Sequence, residues 1–164
     1  MTAKPLSPRL PAGGTRWLGL LGFGLAVLCT AVVGSLAATG SKAEYASLEQ
    51  PAWAPPSWLF GPVWTILYVL IAIAGWLVWQ RTGWTRALTV YAVQLALNAA
   101  WTPLFFAAGR YGLALVEIMV LWVLILATIV LFWRTSRLAA ALLVPYLAWV
   151  SFATALNAAI WSAN

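Results

Sequence analysis

Residues 53–68 read Trp-Ala-Pro-Pro-Ser-Trp-Leu-Phe-Gly-Pro-Val-Trp-Thr-Ile-Leu-Tyr. Pro55 and Pro56 hold the backbone extended and donate no hydrogen bond, so they suit the entry to a helix, whose first N–H groups have no partner inside it. A helix is predicted from about Ser57. Within it Phe60, Trp64 and Tyr68 recur every four residues and share one face. Trp53 and Trp58 stand at or before its start, where Trp is also at home simply as part of an interfacial belt. Trp64 and Tyr68 lie about 9 and 15 Å further along at 1.5 Å per residue, too deep for a belt. An aromatic wall with a lid is implied.

Outward from this stretch, composition sets the class. The 164 residues are 64% hydrophobic and 7% charged, with a mean hydropathy of +0.92. Too little polar surface is available for a water-soluble domain, and an all-α membrane protein is expected. The net charge of +6 sits between apolar runs, which fits orientation in a membrane and not nucleic-acid binding. The chain has no His, and its one Cys, Cys29, lies inside an apolar run. Disulfide frameworks, zinc sites and Cys/His catalysis are thereby excluded. No metal or cofactor is called for.

Residues 1–16 form a basic leader with Lys4, Arg9 and Arg16, expected to be disordered, and residues 17–164 a single domain. Five apolar runs follow: Trp17–Thr39, Trp58–Trp79, Ala87–Ala108, Tyr111–Trp133 and Leu138–Trp161. Each is long enough to cross about 30 Å of hydrocarbon as a helix, so a five-transmembrane-helix bundle is predicted. The first run is too long for the apolar core of a signal peptide and reads as a retained span. Along it Gly22, Ala26, Thr30, Gly34 and Ala38 form a small-residue stripe that admits another helix, within the subunit or across a dimer. Short loops predict that consecutive spans are antiparallel neighbours. Alternating the loops places Lys4, Arg9, Arg16, Arg81, Arg86, Arg134 and Arg137 on one side, and Lys42 and Arg110 on the other. The positive-inside rule then sets the N-terminus in the cytoplasm.

Two spans carry polar and aromatic faces. Tyr91, Gln94, Asn98, Trp101 and Phe105 share one face of the third, and Tyr146, Trp149, Ala153, Asn157 and Trp161 share one face of the fifth. Polar groups in hydrocarbon need partners, so both faces should turn inward, where either Asn also serves as plain interhelical glue. Their depth beneath the long first loop points to a cavity for a flat, hydrophobic ligand with a few polar edges. Glu117 is the only acid within a span. It is a functional candidate by position, and equally a neutral structural carboxyl. No second carboxylate, nucleophile–base pair or phosphate loop accompanies it, so conventional catalysis has no visible machinery.

Three motifs in order now carry a resemblance: residues 53–64 with Leu67 and Tyr68, the run from Gln94 through Asn98, Trp101 and Pro103 to Phe106, and the run from Pro145, Tyr146 and Trp149 through Phe152–Thr154 to Asn157. From about Tyr45 to Asn164 the chain resembles the TspO/MBR family, the tryptophan-rich sensory and translocator proteins. The resemblance implies a five-helix bundle, often a homodimer, that binds porphyrins such as protoporphyrin IX or haem and acts as sensor, regulator or carrier. Site residues implied by faces and resemblance together are Trp53, Phe60, Trp64, Tyr68, Gln94, Asn98, Trp101, Phe105, Tyr146, Trp149 and Ala153, with Glu117 as an intramembrane acid. It also implies an alternative, light-dependent porphyrin degradation through Trp64 and Trp149 as catalytic residues. A further alternative is lipid or sterol binding. The sterol-recognition pattern of animal members needs a Tyr followed four residues on by Arg, and Ala158 and Ser162 stand at the matching positions. Weak sterol binding by that motif is therefore expected.

Overall fold

The structure, a computed structural model, describes residues 13–39 and 45–164. Most of the leader, and Lys42 and Glu44 of the first loop, lie outside them. Among the described residues, five helical segments are long and apolar enough to cross a membrane. They are α1 (Gly13–Ala37), α2 (Phe60–Thr82), α3 (Arg86–Thr102), α4 (Tyr111–Trp133) and a fifth span divided into α5 (Arg137–Leu142) and α6 (Val144–Ala163). Large apolar side chains such as Leu25, Ile66, Val93, Val116 and Leu138 stay exposed on the outer faces. In water that surface would drive aggregation, whereas lipid solvates it.

Local chemistry sets the ends. Pro56 is extended at φ −64° and ψ 144°, and a 3-10 turn, Ser57–Leu59, leads into α2. Gly83 closes α2 at φ 66°, a conformation that costs a side chain, while its N–H bonds the Trp79 carbonyl. Ser136 caps α5 by accepting the Ala139 N–H at 3.3 Å. Pro103 cannot donate to the preceding turn, and the chain widens there into a π turn, Pro103–Ala107, closed by the Ala108 N–H on the Pro103 carbonyl. Pro145 falls at the start of α6, where its missing N–H is harmless, and the fifth span breaks just before it.

Around the bundle the order is α1, α3, α4, the fifth span and α2. Spans 3 and 4, and 4 and 5, are neighbours as the short loops predict, and so are 1 and 2 across the longer first loop, but the backbones of α2 and α3 stand mostly apart although only residues 83–85 join them. The reason is α1, which is slim enough to wedge between them. The Trp79 ring occupies the space that a Cβ on Gly19 would need, and a Cβ on Gly75 would stand 2.8 Å from both Phe23 and Tyr91. Gly34 likewise approaches Thr102.

These contacts are tight at the end that carries Arg16, Arg81, Arg86, Arg134 and Arg137, hereafter the basic end. There α2 packs on α5 as well, above a core of Ile71, Val78, Leu88, Phe132, Ala139 and Leu143 with almost no exposure. α2 makes little contact with α6, and toward the opposite end a cavity lies between α2 and α1. The bundle is a cup, sealed at the basic end.

Candidate ligand-binding site

The mouth of the cup holds a cavity of about 340 Å³ between α1, α2 and the outer end of α3. Phe60, Trp64 and Tyr68 form one wall by their four-residue spacing, Trp101, Thr102 and Phe106 the second, and Ala31, Gly34, Ser35 and Ala38 of α1 the third. Exposed Ser35, Gly61 and Thr65 mark its open side, between α1 and α2. No charged side chain among the described residues lines it.

A second, much smaller cavity of about 10 Å³ lies toward the bundle axis. Trp149, Val150 and Ala153 of α6 border it, with Asn98, Ile118 and Leu121. Phe60, Trp64 and Trp101 belong to both cavities and form the partition between them. Trp149 stands behind that partition, its ring 5.8 Å from Phe60 and 5.4 Å from Phe152. Trp64 is flanked by Tyr68 at 5.2 Å and Tyr146 at 6.1 Å.

Hydrogen bonds fix several of these rings. Tyr68 donates to Asn98 Oδ1 at 3.1 Å, and Trp101 Nε1 donates to Asn157 Oδ1 at 3.2 Å, while Asn157 Nδ2 donates to the Tyr111 carbonyl at 2.9 Å. One Asn thereby ties three spans together. Tyr146 donates to Gln94 Oε1 at 3.0 Å, deep in the core. Four buried polar atoms find no partner among the described residues: Gln94 Nε2, Trp149 Nε1 and both carboxylate oxygens of Glu117. In an apolar interior an unmet donor or acceptor costs about 1–3 kcal/mol, and of the four only Trp149 Nε1 belongs to a residue that lines a cavity.

The first loop covers the mouth. Tyr45 is buried, packs edge-on against Phe60 at 5.7 Å, and donates to the Pro55 carbonyl at 3.4 Å. Burial raises its phenol pKa, which keeps it a neutral donor. Gln50 Nε2 donates to the Tyr45 carbonyl. Glu49 and Asn164 then pair reciprocally, the Glu49 N–H donating to Asn164 Oδ1 at 3.0 Å and Asn164 Nδ2 to the Glu49 carbonyl at 3.1 Å. The loop is latched to the end of the fifth span.

Comparison with known proteins matches residues 23–162 to the TspO/MBR family. The chain belongs to the TspO/MBR family. It is 42% identical to the human translocator protein over 154 residues, 90% of this chain and 91% of that one. It is 41% identical to the tryptophan-rich protein TspO of Archaeoglobus fulgidus over 85% of this chain and 93% of that one. With the tryptophan-rich sensory protein of Cereibacter sphaeroides the identity is 42% over 77% of this chain and 83% of that one.

On this TspO/MBR bundle the residues singled out in the sequence take different stations. Phe60, Trp64, Tyr68 and Trp101 line the outer cavity; Asn98, Trp149 and Ala153 line the inner one. Gln94 and Tyr146 are wholly buried and bond each other, Phe105 packs under Trp101 at 5.0 Å, and Glu117 borders neither cavity. Trp53 is half-exposed and rests edge-on against Phe152. The sequence reading missed Tyr45, Phe106, Thr102 and the α1 wall. The small-residue stripe was the signal for that wall, since Gly34 and Ala38 line the outer cavity.

Proposed function

We propose that this TspO/MBR membrane protein binds a porphyrin in the outer cavity and acts as its sensor or carrier, with no cofactor of its own. The observation that carries the reading is the partition: two indoles and a phenyl at the back of a laterally open cavity of about 340 Å³. That volume is at the small end for organic ligands, and the open side lets a wide ring protrude. Flat conjugated rings stack on such walls, and since no cation lines the cavity among the described residues, acidic substituents fit best at the mouth. Titrating the purified protein with protoporphyrin IX and with haem, reading tryptophan fluorescence, should give saturable quenching that weakens at least tenfold in Trp64→Ala. Equal affinity in that variant would remove the reading.

A second reading, light-dependent loss of the bound porphyrin, draws on Trp64 itself. It faces the outer cavity and has Tyr68 and Tyr146 within about 6 Å, so a cluster of oxidisable rings borders the ligand. The N-terminus belongs in the cytoplasm by the charge distribution, and a homodimer is part of the same proposal.

A further inference from the structure

Glu117 is the one acid within a span, and neither cavity uses it. It lies about 9 Å beyond Tyr111 along α4 at 1.5 Å per residue, at hydrocarbon depth. Both carboxyl oxygens are shielded from solvent, and neither has a hydrogen-bond partner among the described residues. Its neighbours on the helix, Ile118 and Leu121, border the inner cavity. Glu117 therefore belongs to the layer of the bundle that holds the partition.

A second group in that region is also left open. Gln94 has no exposure; its Oε1 accepts from Tyr146, while its Nε2 has no partner among the described residues. The Tyr146 hydroxyl is in reach of the Asn98 side chain as well, and within electrostatic range of Glu117. Asn98 Oδ1 accepts from Tyr68, which lines the outer cavity. Gln94, Tyr146, Asn98 and Tyr68 thus form a polar chain through an apolar core. Glu117 is near its inner end and the ligand cavity is at its outer end.

No fixed charge answers that carboxyl. The other titratable groups around the chain are the phenols of Tyr68, Tyr91 and Tyr146, from α2, α3 and the fifth span. Every described Arg is exposed, Arg110 about two turns outward on α4 and the rest at the basic end, and Cys29 of α1 is exposed too. A carboxylate in such surroundings is costly, and a protonated carboxyl far less so. The uncommitted donor of the chain is Gln94 Nε2. Turning that carboxamide toward a negative charge takes Oε1 from Tyr146, whose ring lies 6.1 Å from Trp64 in the partition.

We infer that Glu117 is a proton-binding site within the membrane, linked to the outer cavity through Gln94 and Tyr146, so that the ligand is held more tightly while Glu117 is protonated. The link to a ligand rests on the porphyrin reading above. Its sign follows from the chain: the protonated form leaves Tyr146 on Gln94 and the partition in place. Affinity is therefore full below the titration of this carboxyl and falls as pH rises through it.

The test uses the full-length protein in mild detergent. Infrared spectra are taken from mildly acid to mildly alkaline pH, a range in which water-exposed carboxyls stay ionised. They should show the carbonyl stretch of a protonated carboxyl that fades as pH rises, and Glu117→Gln should lack it. The dimethyl ester of protoporphyrin IX has no carboxyl of its own to titrate. Its affinity, read by tryptophan quenching, should fall at least about fivefold across the same range in the parent. Glu117→Gln should keep the acid-side affinity throughout, and Tyr146→Phe should retain the infrared band but lose the pH dependence of binding. A band that does not titrate, or that survives in Glu117→Gln, would overturn the inference. So would equal pH profiles in the parent and Glu117→Gln, or a pH dependence that Tyr146→Phe leaves intact. An ester that binds at no pH would instead remove the porphyrin reading, and the infrared titration of the protein alone would still decide whether Glu117 binds a proton.

Discussion

Trp64 and Trp149 differ in one respect that substitution can read. Trp64 is part of the partition and faces the outer cavity, while Trp149 is behind it with an Nε1 that has no partner among the described residues. Replacing either by Phe keeps an aromatic face and removes an indole that is easily oxidised. Trp64→Phe should weaken protoporphyrin binding no more than about fivefold, roughly 1 kcal/mol. If bound porphyrin is lost in light through these rings, the same variant should nearly stop that loss, measured as Soret decay under illumination. A Trp64→Phe protein that degrades porphyrin at the parental rate would leave binding as the only role of this Trp. Asn157 is a structural counterpart, since its carboxamide joins Trp101 to the Tyr111 carbonyl. Asn157→Ala should destabilise the fold by about 1–2 kcal/mol, with a lower thermal midpoint in detergent as the check.

At the scale of elements, the first loop is the part most open to manipulation. Its pairing with Asn164 consists of two hydrogen bonds at the outer surface, each worth about 1 kcal/mol net. Asn164→Ala should therefore speed porphyrin association and release together, by about tenfold in stopped-flow fluorescence, and leave the equilibrium constant within about threefold. An affinity loss with unchanged rates would mean that Asn164 shapes the closed site and does not latch it. The helices themselves were legible, because apolar length and the spacing of Phe60, Trp64 and Tyr68, or of Gln94, Asn98 and Trp101, are local properties of the chain. Tyr45 was not: it sits in a loop without periodicity, and only the folded loop brings it onto Phe60 and Phe106. The stripe on α1 was legible as a contact face, but not its division. Gly22, Ala26 and Thr30 border a recess on the outer surface between α1 and α3, whereas Gly34 and Ala38 border the outer cavity between α1 and α2. That division depends on where α1 and α3 touch, which no single-helix pattern encodes.

For the whole molecule, the charge distribution makes a prediction about orientation. In a Cys29→Ala background, Cys at Arg110 or Ser162 should react with an impermeant thiol reagent from outside intact cells, and Cys at Ser136 should not. The opposite labelling would invert the bundle in its membrane. The wedge formed by α1 bears on assembly of the fold: it holds apart α2 and α3, which then meet through long side chains such as Tyr68 on Asn98 and Tyr91 on the Ile71 carbonyl. It also explains why a small bundle keeps an internal space at all, because α1 separates two helices that a short loop would otherwise press together.

The seal at the basic end has a kinetic meaning. Ile71, Val78, Leu88 and Phe132 fill the floor of the cup almost without exposure, so a porphyrin bound as proposed would leave by the open side between α1 and α2 through which it came. Occupancy then obeys simple competition: a ligand presented from the far side of the membrane cannot push out the one already seated. Its residence time is governed by the loop and the gap between α1 and α2, and not by any gradient across the bilayer. A gradient could drive net passage only by unpacking this floor, which places the barrier to transport in the most tightly packed layer of the protein.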